Sequence, residues 1–164
     1  MKKIKGLVLL LLVVFSTGCV KRSAISANDF YEKTKDDYKL VDIKSDHYDF
    51  SDGAYVLSGN NNLKIVFVDT NEQMAKSMYV DETKNAYSQA STDLIEQNKD
   101  NADYELKESD IKKTIATGDN FSIVEITTSK KYYRIAWIKD TVMIGQVDLD
   151  SKTTLFNLMK KLGY

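Results

Sequence analysis

Three runs near the C-terminus decide the reading of the chain: Phe121-Ser-Ile-Val-Glu-Ile-Thr-Thr128, Tyr132-Tyr-Arg-Ile-Ala-Trp-Ile138 and Val142-Met-Ile-Gly-Gln-Val-Asp-Leu149. Each is rich in β-branched and aromatic residues, the composition of a strand. They are separated only by Ser129-Lys-Lys131 and Lys139-Asp-Thr141. Parallel neighbours need a long crossover and these connections are too short for one, so the runs form an antiparallel meander. Side chains alternate along a strand, which puts Tyr133, Ile135 and Trp137 on one face and Tyr132, Arg134 and Ala136 on the other. One face belongs to the core. The other makes Tyr132, Tyr133 and Trp137 a candidate platform for a peptide or glycan, since Tyr and Trp suit wet, amphipathic contacts. The alternative is that these aromatics complete the packing of the sheet.

Working outward, Ser151 to Leu162 closes the chain as a helix with Leu155, Leu158, Met159 and Leu162 on one face. Gly163 suits the left-handed position after its end, with Tyr164 folded back onto Met159. Toward the N-terminus, Ile111 to Thr117 and Tyr104 to Lys107 read as weak strands. From Thr70 to about Ala90 the apolar residues recur at helical spacing, with Thr70 and Gln73 at capping-box distance; Ser91 to Asn101 either extends this helix or forms a separate turn. Leu63 to Val68 is apolar on both faces except Lys64, the mark of a central strand. Ser58-Gly-Asn-Asn-Asn62 is a turn leading into it. Ala54 to Leu57 and Leu40 to Lys44 are short strands. Ser26 caps a first helix carrying Ala27, Phe30, Tyr31, Thr34 and Tyr38 on one face, ending near Lys39. Strands in runs with tight turns predict an α+β fold, an antiparallel sheet with helices packed on one face. Residues 26–69 and 70–149 each read as a helix followed by strands, so two such units are possible.

The first twenty residues are of a different kind. Lys2, Lys3 and Lys5 precede an unbroken apolar run from Gly6 to Phe15, followed by Ser16, Thr17, Gly18 and the only cysteine, Cys19. This order is an export signal, too short for a membrane span of roughly 20 residues. Small residues directly before a cysteine resemble a lipobox, with Ser16 where Leu is usual. The resemblance implies cleavage after Gly18 and a diacylglyceryl group on Cys19; plain secretion with cleavage after Gly18 is the alternative. The expected organisation is a signal peptide at 1–18, a lipidated cysteine and short tether at 19–25, and one domain at 26–164. With no second cysteine the domain cannot form an internal disulfide.

Charge narrows the partners. Three of the 23 basic residues lie in the signal, leaving 20 against 24 acidic residues, a net charge of −4 with His47 neutral. No basic stripe survives, which argues against nucleic acid. Lys21 and Arg22 follow Cys19 and suit anionic headgroups. There is no proline, hence no proline-rich stalk.

With Ser16-Thr-Gly-Cys19, Ala75-Lys-Ser-Met78, the C-terminal meander and Lys160-Lys-Leu-Gly-Tyr164, the chain looks like a group of small uncharacterised lipoproteins of low-GC Gram-positive bacteria. The resemblance implies a protein on the outer face of the cytoplasmic membrane, held in the bilayer by its lipid, and carries over no active-site residue.

Candidate chemistry is sparse. Asp46, His47, Asp49 and Asp52 crowd one loop and are the candidates for a metal, although the calcium-loop spacing fails before Gly53. His47 is the only histidine, so a His-based hydrolase would have to use it. No G-x-S-x-G elbow and no phosphate-binding glycine loop is present. The composition thus favours a non-enzymatic binding or accessory module without cofactor, acting on a membrane-proximal protein or wall polymer. The alternative is a small envelope hydrolase using carboxylates or His47.

Overall fold

The computed structural model describes residues 21–164. The expected signal peptide and Cys19 lie outside the described residues. In chain order the elements are α1 (Ala27–Thr34), β1 (Lys39–Asp42), α2 (Lys44–His47), β2 (Gly53–Ser58), β3 (Lys64–Asp69), α3 (Glu72–Gln97), β4 (Lys112–Gly118), β5 (Phe121–Thr127), β6 (Lys131–Ile138), β7 (Thr141–Asp148) and α4 (Lys152–Lys161). All seven strands form one antiparallel sheet in the order β1-β2-β3-β7-β6-β5-β4. The α+β class stands.

The meander has four strands rather than three, because β4 pairs along its whole length with β5. Its turns explain its regularity. Lys139 takes φ +52° in the two-residue link from β6 to β7. The Thr128 hydroxyl accepts from the Lys130 and Lys131 N–H groups at the β5–β6 corner. At the β2–β3 turn Asn61 and Asn62 take φ +56° and +57°, a region Asn tolerates better than most residues.

The helices lie on both faces of the sheet, not on one. Tyr132, Ala136 and Ile138 of β6 join Phe67 and Met143 beneath α1 and α4, whose Phe30, Leu155 and Met159 are buried there. Tyr133 and Ile135 of the same strand pack under α3, against Ala86, Ala90 and Leu94. A strand apolar on both faces needs a cover on each, and both β6 and β3 are of this kind. The small Ala75, Ala86 and Ala90 on the inner side of α3 let it lie close to the sheet. That helix continues unbroken to Gln97, settling the 91–101 stretch up to there. Its cap is Asn71, whose side chain accepts from the Met74 N–H at 2.9 Å, one residue beyond the Thr70 expected from spacing.

The chain does divide into α1 with β1–β3 and α3 with β4–β7, joined by the β3–β7 ladder. The two-fold rotation that exchanges β3 and β7 would keep both helices on one face. They lie on opposite faces, so the units are not related by that rotation.

Remaining departures are local. The first helix stops at Thr34, where the Thr34 hydroxyl bonds back to the Phe30 carbonyl at 2.7 Å. Tyr104 to Lys107 is irregular, tied down by Asp110, whose carboxylate accepts from the Tyr104 hydroxyl and the Lys107 N–H. The C-terminus ends as expected: Gly163 has φ +96°, the Tyr164 N–H bonds to Met159 O at 2.8 Å and the Gly163 N–H to Lys160 O at 3.0 Å, a Schellman cap. Tyr164 is fully buried, with its hydroxyl on that of Thr141 and its ring edge-on to Phe67.

Candidate functional site

Residues singled out from sequence fall in three places. The platform is overturned: Tyr132, Tyr133 and Trp137 are 0%, 5% and 8% exposed. They sit on opposite faces of β6, each under a helix, and their aromatic surface is spent on the core. The acidic loop is not assembled either. Asp46 and His47 lie on the short α2, Asp49 and Asp52 follow it, and among the described residues no three His, Cys, Asp or Glu side chains converge as metal ligands. His47 meets the edge of the Tyr48 ring, and Asp46 accepts from the neighbouring Ser45 hydroxyl at 3.4 Å. Cys19 is outside the described residues.

Arg134 is a polar residue that nothing in the strand pattern singles out. It points to the α4 side of the sheet, is 7% exposed, pairs with Glu125 across the β5–β6 ladder and lies 4.8 Å under the Phe156 ring. The Tyr132 hydroxyl lies alongside this pair yet outside hydrogen-bond geometry with either, as does Arg134 Nε. Burial holds that phenol well above its usual pKa, with the Glu125 charge adding to the effect. The group is closed over by Phe156 and by Lys152, which stacks on the Tyr132 ring at 4.7 Å. It is a half-buried ion pair, with Arg134 enclosed and the Glu125 side chain still 24% exposed. Such pairs contribute little net stability, yet they are costly to break.

The residues before α1 are bound to the domain, which extends its structured part back from Ser26 to Arg22. The Arg22 N–H donates to Asn120 Oδ1 at 3.0 Å and Asn120 Nδ2 donates to the Arg22 carbonyl at 2.8 Å. The guanidinium lies 4.7 Å over the Phe121 ring and reaches Gly163 O at 3.3 Å. Burial lowers its pKa, with Arg134 contributing through like charge. Ala24 and Ile25 pack on the core. The chain therefore enters at the sheet end that carries the β4–β5 turn, the β6–β7 turn and the start of α3.

An open feature lies at the far edge of the meander. Among the described residues no strand pairs with the outer side of β4, and its residues are exposed apart from the half-buried Gly118. Register and turns fix which of its backbone groups are free. The Asn120 carbonyl bonds to Lys139 of the β6–β7 turn, so the Phe121 groups face β4, and Gly118, Ala116, Thr114 and Lys112 bond to β5. The N–H and C=O groups of Lys113, Ile115 and Thr117 point outward. The side chains of those residues share the α3 side of the sheet, since Ile115 pairs with Val124 and Lys113 with Ile126. There α3 and β4 bound a groove of about 540 Å³, lined by Lys84, Tyr87, Ser88, Ser91, Ile95 and Lys113 among others. Ile115 is 56% exposed, Ile95 54% and Tyr87 37%. Sequence reading found the strand but not that it is an edge, because strand order depends on pairings far apart in the chain.

Set against family models, curated proteins and solved structures, the chain matches none of the three.

Proposed function

We propose that this protein is a lipid-anchored extracytoplasmic binding or accessory module that works within a short distance of the membrane. The observation that carries the reading is the fastening of Arg22 to Asn120 and Gly163. With Cys19 acylated, only Val20 and Lys21 would separate the anchor from the docked Arg22, a span of roughly 10 Å at full extension. The sheet end bearing Asn120 and Lys139 would then rest at the headgroups, and two acyl chains would hold it there stably. A partner must lie in that layer, where confinement raises its effective concentration and lets modest affinity suffice. An open strand edge beside an apolar groove is a surface for binding rather than for turnover.

Two measurements test this. Cells fed a tagged fatty acid should label the wild type and leave Cys19→Ala unlabelled; equal labelling overturns the anchor. A long Gly/Ser insertion between Lys21 and Arg22 keeps the docking contacts and should lower activity in a deletion strain, as effective concentration falls once a linker outgrows its span. Full complementation by an unanchored Cys19→Ala form at native levels would mean that the protein acts on something soluble.

A further inference from the structure

We infer that the free edge of β4 takes an extended peptide segment as an eighth strand, and that the segment carries carboxylates and lacks basic residues. The inference rests on the binding-module reading above and names the partner class for it.

Three features converge. The first is the set of unpaired main-chain groups on Lys113, Ile115 and Thr117, a ready template for strand addition. The second is the groove: a strand laid against β4 sends every other side chain to the α3 side, where Ile115, Tyr87 and Ile95 offer apolar surface, and the alternate ones past Lys112, Thr114 and Ala116. The third is charge. The groove lining holds Lys84 and Lys113 and no carboxylate, and Lys112 is exposed on the other face. The nearest acid to Lys84 is Asp81, 3.8 Å away and itself open to solvent, a pairing of little energetic weight.

Charge also decides between occupants. A second copy could pair its β4 about a two-fold axis at Ile115, with Lys113 opposite the other copy's Thr117. That arrangement would bring two grooves together with four lysines and no acid among their linings. An acidic segment from another chain supplies the missing charge and avoids that repulsion. Two lysines on a seven-residue edge also deter promiscuous pairing, and an acidic partner turns the same lysines into contacts.

The test uses the full chain purified in detergent and an end-capped nonapeptide with threonine at its odd positions and glutamate and valine in turn at its even ones, so that carboxylates and apolar side chains share the groove-facing side, followed by fluorescence anisotropy and amide hydrogen exchange. The glutamate peptide should bind and should protect the Ile115 and Thr117 amides; a peptide with lysine for glutamate should bind at least about tenfold more weakly. Lys84→Glu with Lys113→Glu should reverse that preference. Ile115→Pro should abolish binding, because it removes an outward N–H the sheet itself does not use; the charge reversal carries the test if that variant fails to fold. No binding of the glutamate peptide, equal binding of both peptides, or protected amides without peptide in a dimeric protein would each overturn the inference. Binding in detergent does not depend on where Cys19 is anchored, so its failure is separable from failure of the anchor.

Discussion

Gly145 lies in β7 directly beneath α4, and replacing it with alanine tests how tightly that helix is seated. A Cβ built there would come within 2.7 Å of Leu155 Cδ1 and 2.8 Å of Met159 Sδ, closer than carbon and sulfur atoms tolerate. Leu155 and Met159 are both fully buried, so neither has open solvent to move into. Overpacking of this kind costs about 1–3 kcal/mol. Against it stands the gain from removing glycine, about 0.5–1 kcal/mol in a strand interior. The net loss for Gly145→Ala then lies between about 0 and 2.5 kcal/mol, with about 1 kcal/mol expected, or a fall in Tm of roughly 3–5 °C for a domain of this size. Urea unfolding followed by circular dichroism reads it directly. The double variant Gly145→Ala with Leu155→Ala supplies the decisive comparison. Leu155→Ala alone should cost about 2–5 kcal/mol; in the double variant the new methyl occupies part of that cavity, so the pair should be less destabilising than the sum by about 0.5 kcal/mol or more. A stabilised Gly145→Ala protein, or strict additivity, would refute the close seating of α4.

Glu125→Gln should destabilise by about 2–4 kcal/mol, because it leaves the Arg134 charge buried without its counter-ion; Glu125→Leu combined with Arg134→Met should recover much of the loss, and equal losses would deny the pair its role. Asp69 accepts from the Ala27 N–H at 2.9 Å, yet burial first, and Asp140 and Asp52 after it, raise its pKa. A raised carboxyl pKa means that the folded state binds the proton more tightly than the unfolded state, so the charge works against stability above the folded pKa and the penalty fades as pH falls toward the unfolded value. Asp69→Asn, which keeps an acceptor for Ala27, should therefore raise the urea midpoint at pH 7 and match the wild type in acid; a drop at pH 7 would reverse the sign. A chelator should leave the thermal midpoint in place, and a shift of many degrees would revive Asp46, His47, Asp49 and Asp52 as a metal site by linkage.

The strands were legible because their signals are local. Val142 to Val147 and Phe121 to Ile126 carry β-branched side chains between tight turns, and the Ser26 and Gly163 signals sit within a few residues of the helix ends they close. What failed depends on distant pairings. Tyr132, Tyr133 and Trp137 look like a platform only while β6 is imagined with an open face; once β5 and β7 flank it and α3 and α4 cover it, all three are core. Alternating apolar residues on both faces of β3 and β6 already implied two layers of helices, and the one-sided arrangement was inconsistent with them. Ile115 offered no warning, since one isoleucine in a threonine-rich strand reads the same at an edge as in the middle. Arg134 was hidden for the opposite reason: a charge at an alternating position is taken as solvent-facing until the Phe156 ring is found over it.

The clasp at Arg22 also decides how the domain would carry tension. A pull on the chain ahead of Arg22 would enter the domain at Asn120, in the turn between β4 and β5. A partner segment bonded along β4 would resist such a pull through several main-chain bonds loaded together in shear, rather than peeled one at a time. The edge proposed to hold a partner begins at the same hairpin that clasps the chain at Arg22, so the path between the two is short. Because the Arg22 guanidinium also bonds the Gly163 carbonyl, a share of such a load would reach the turn beside Tyr164.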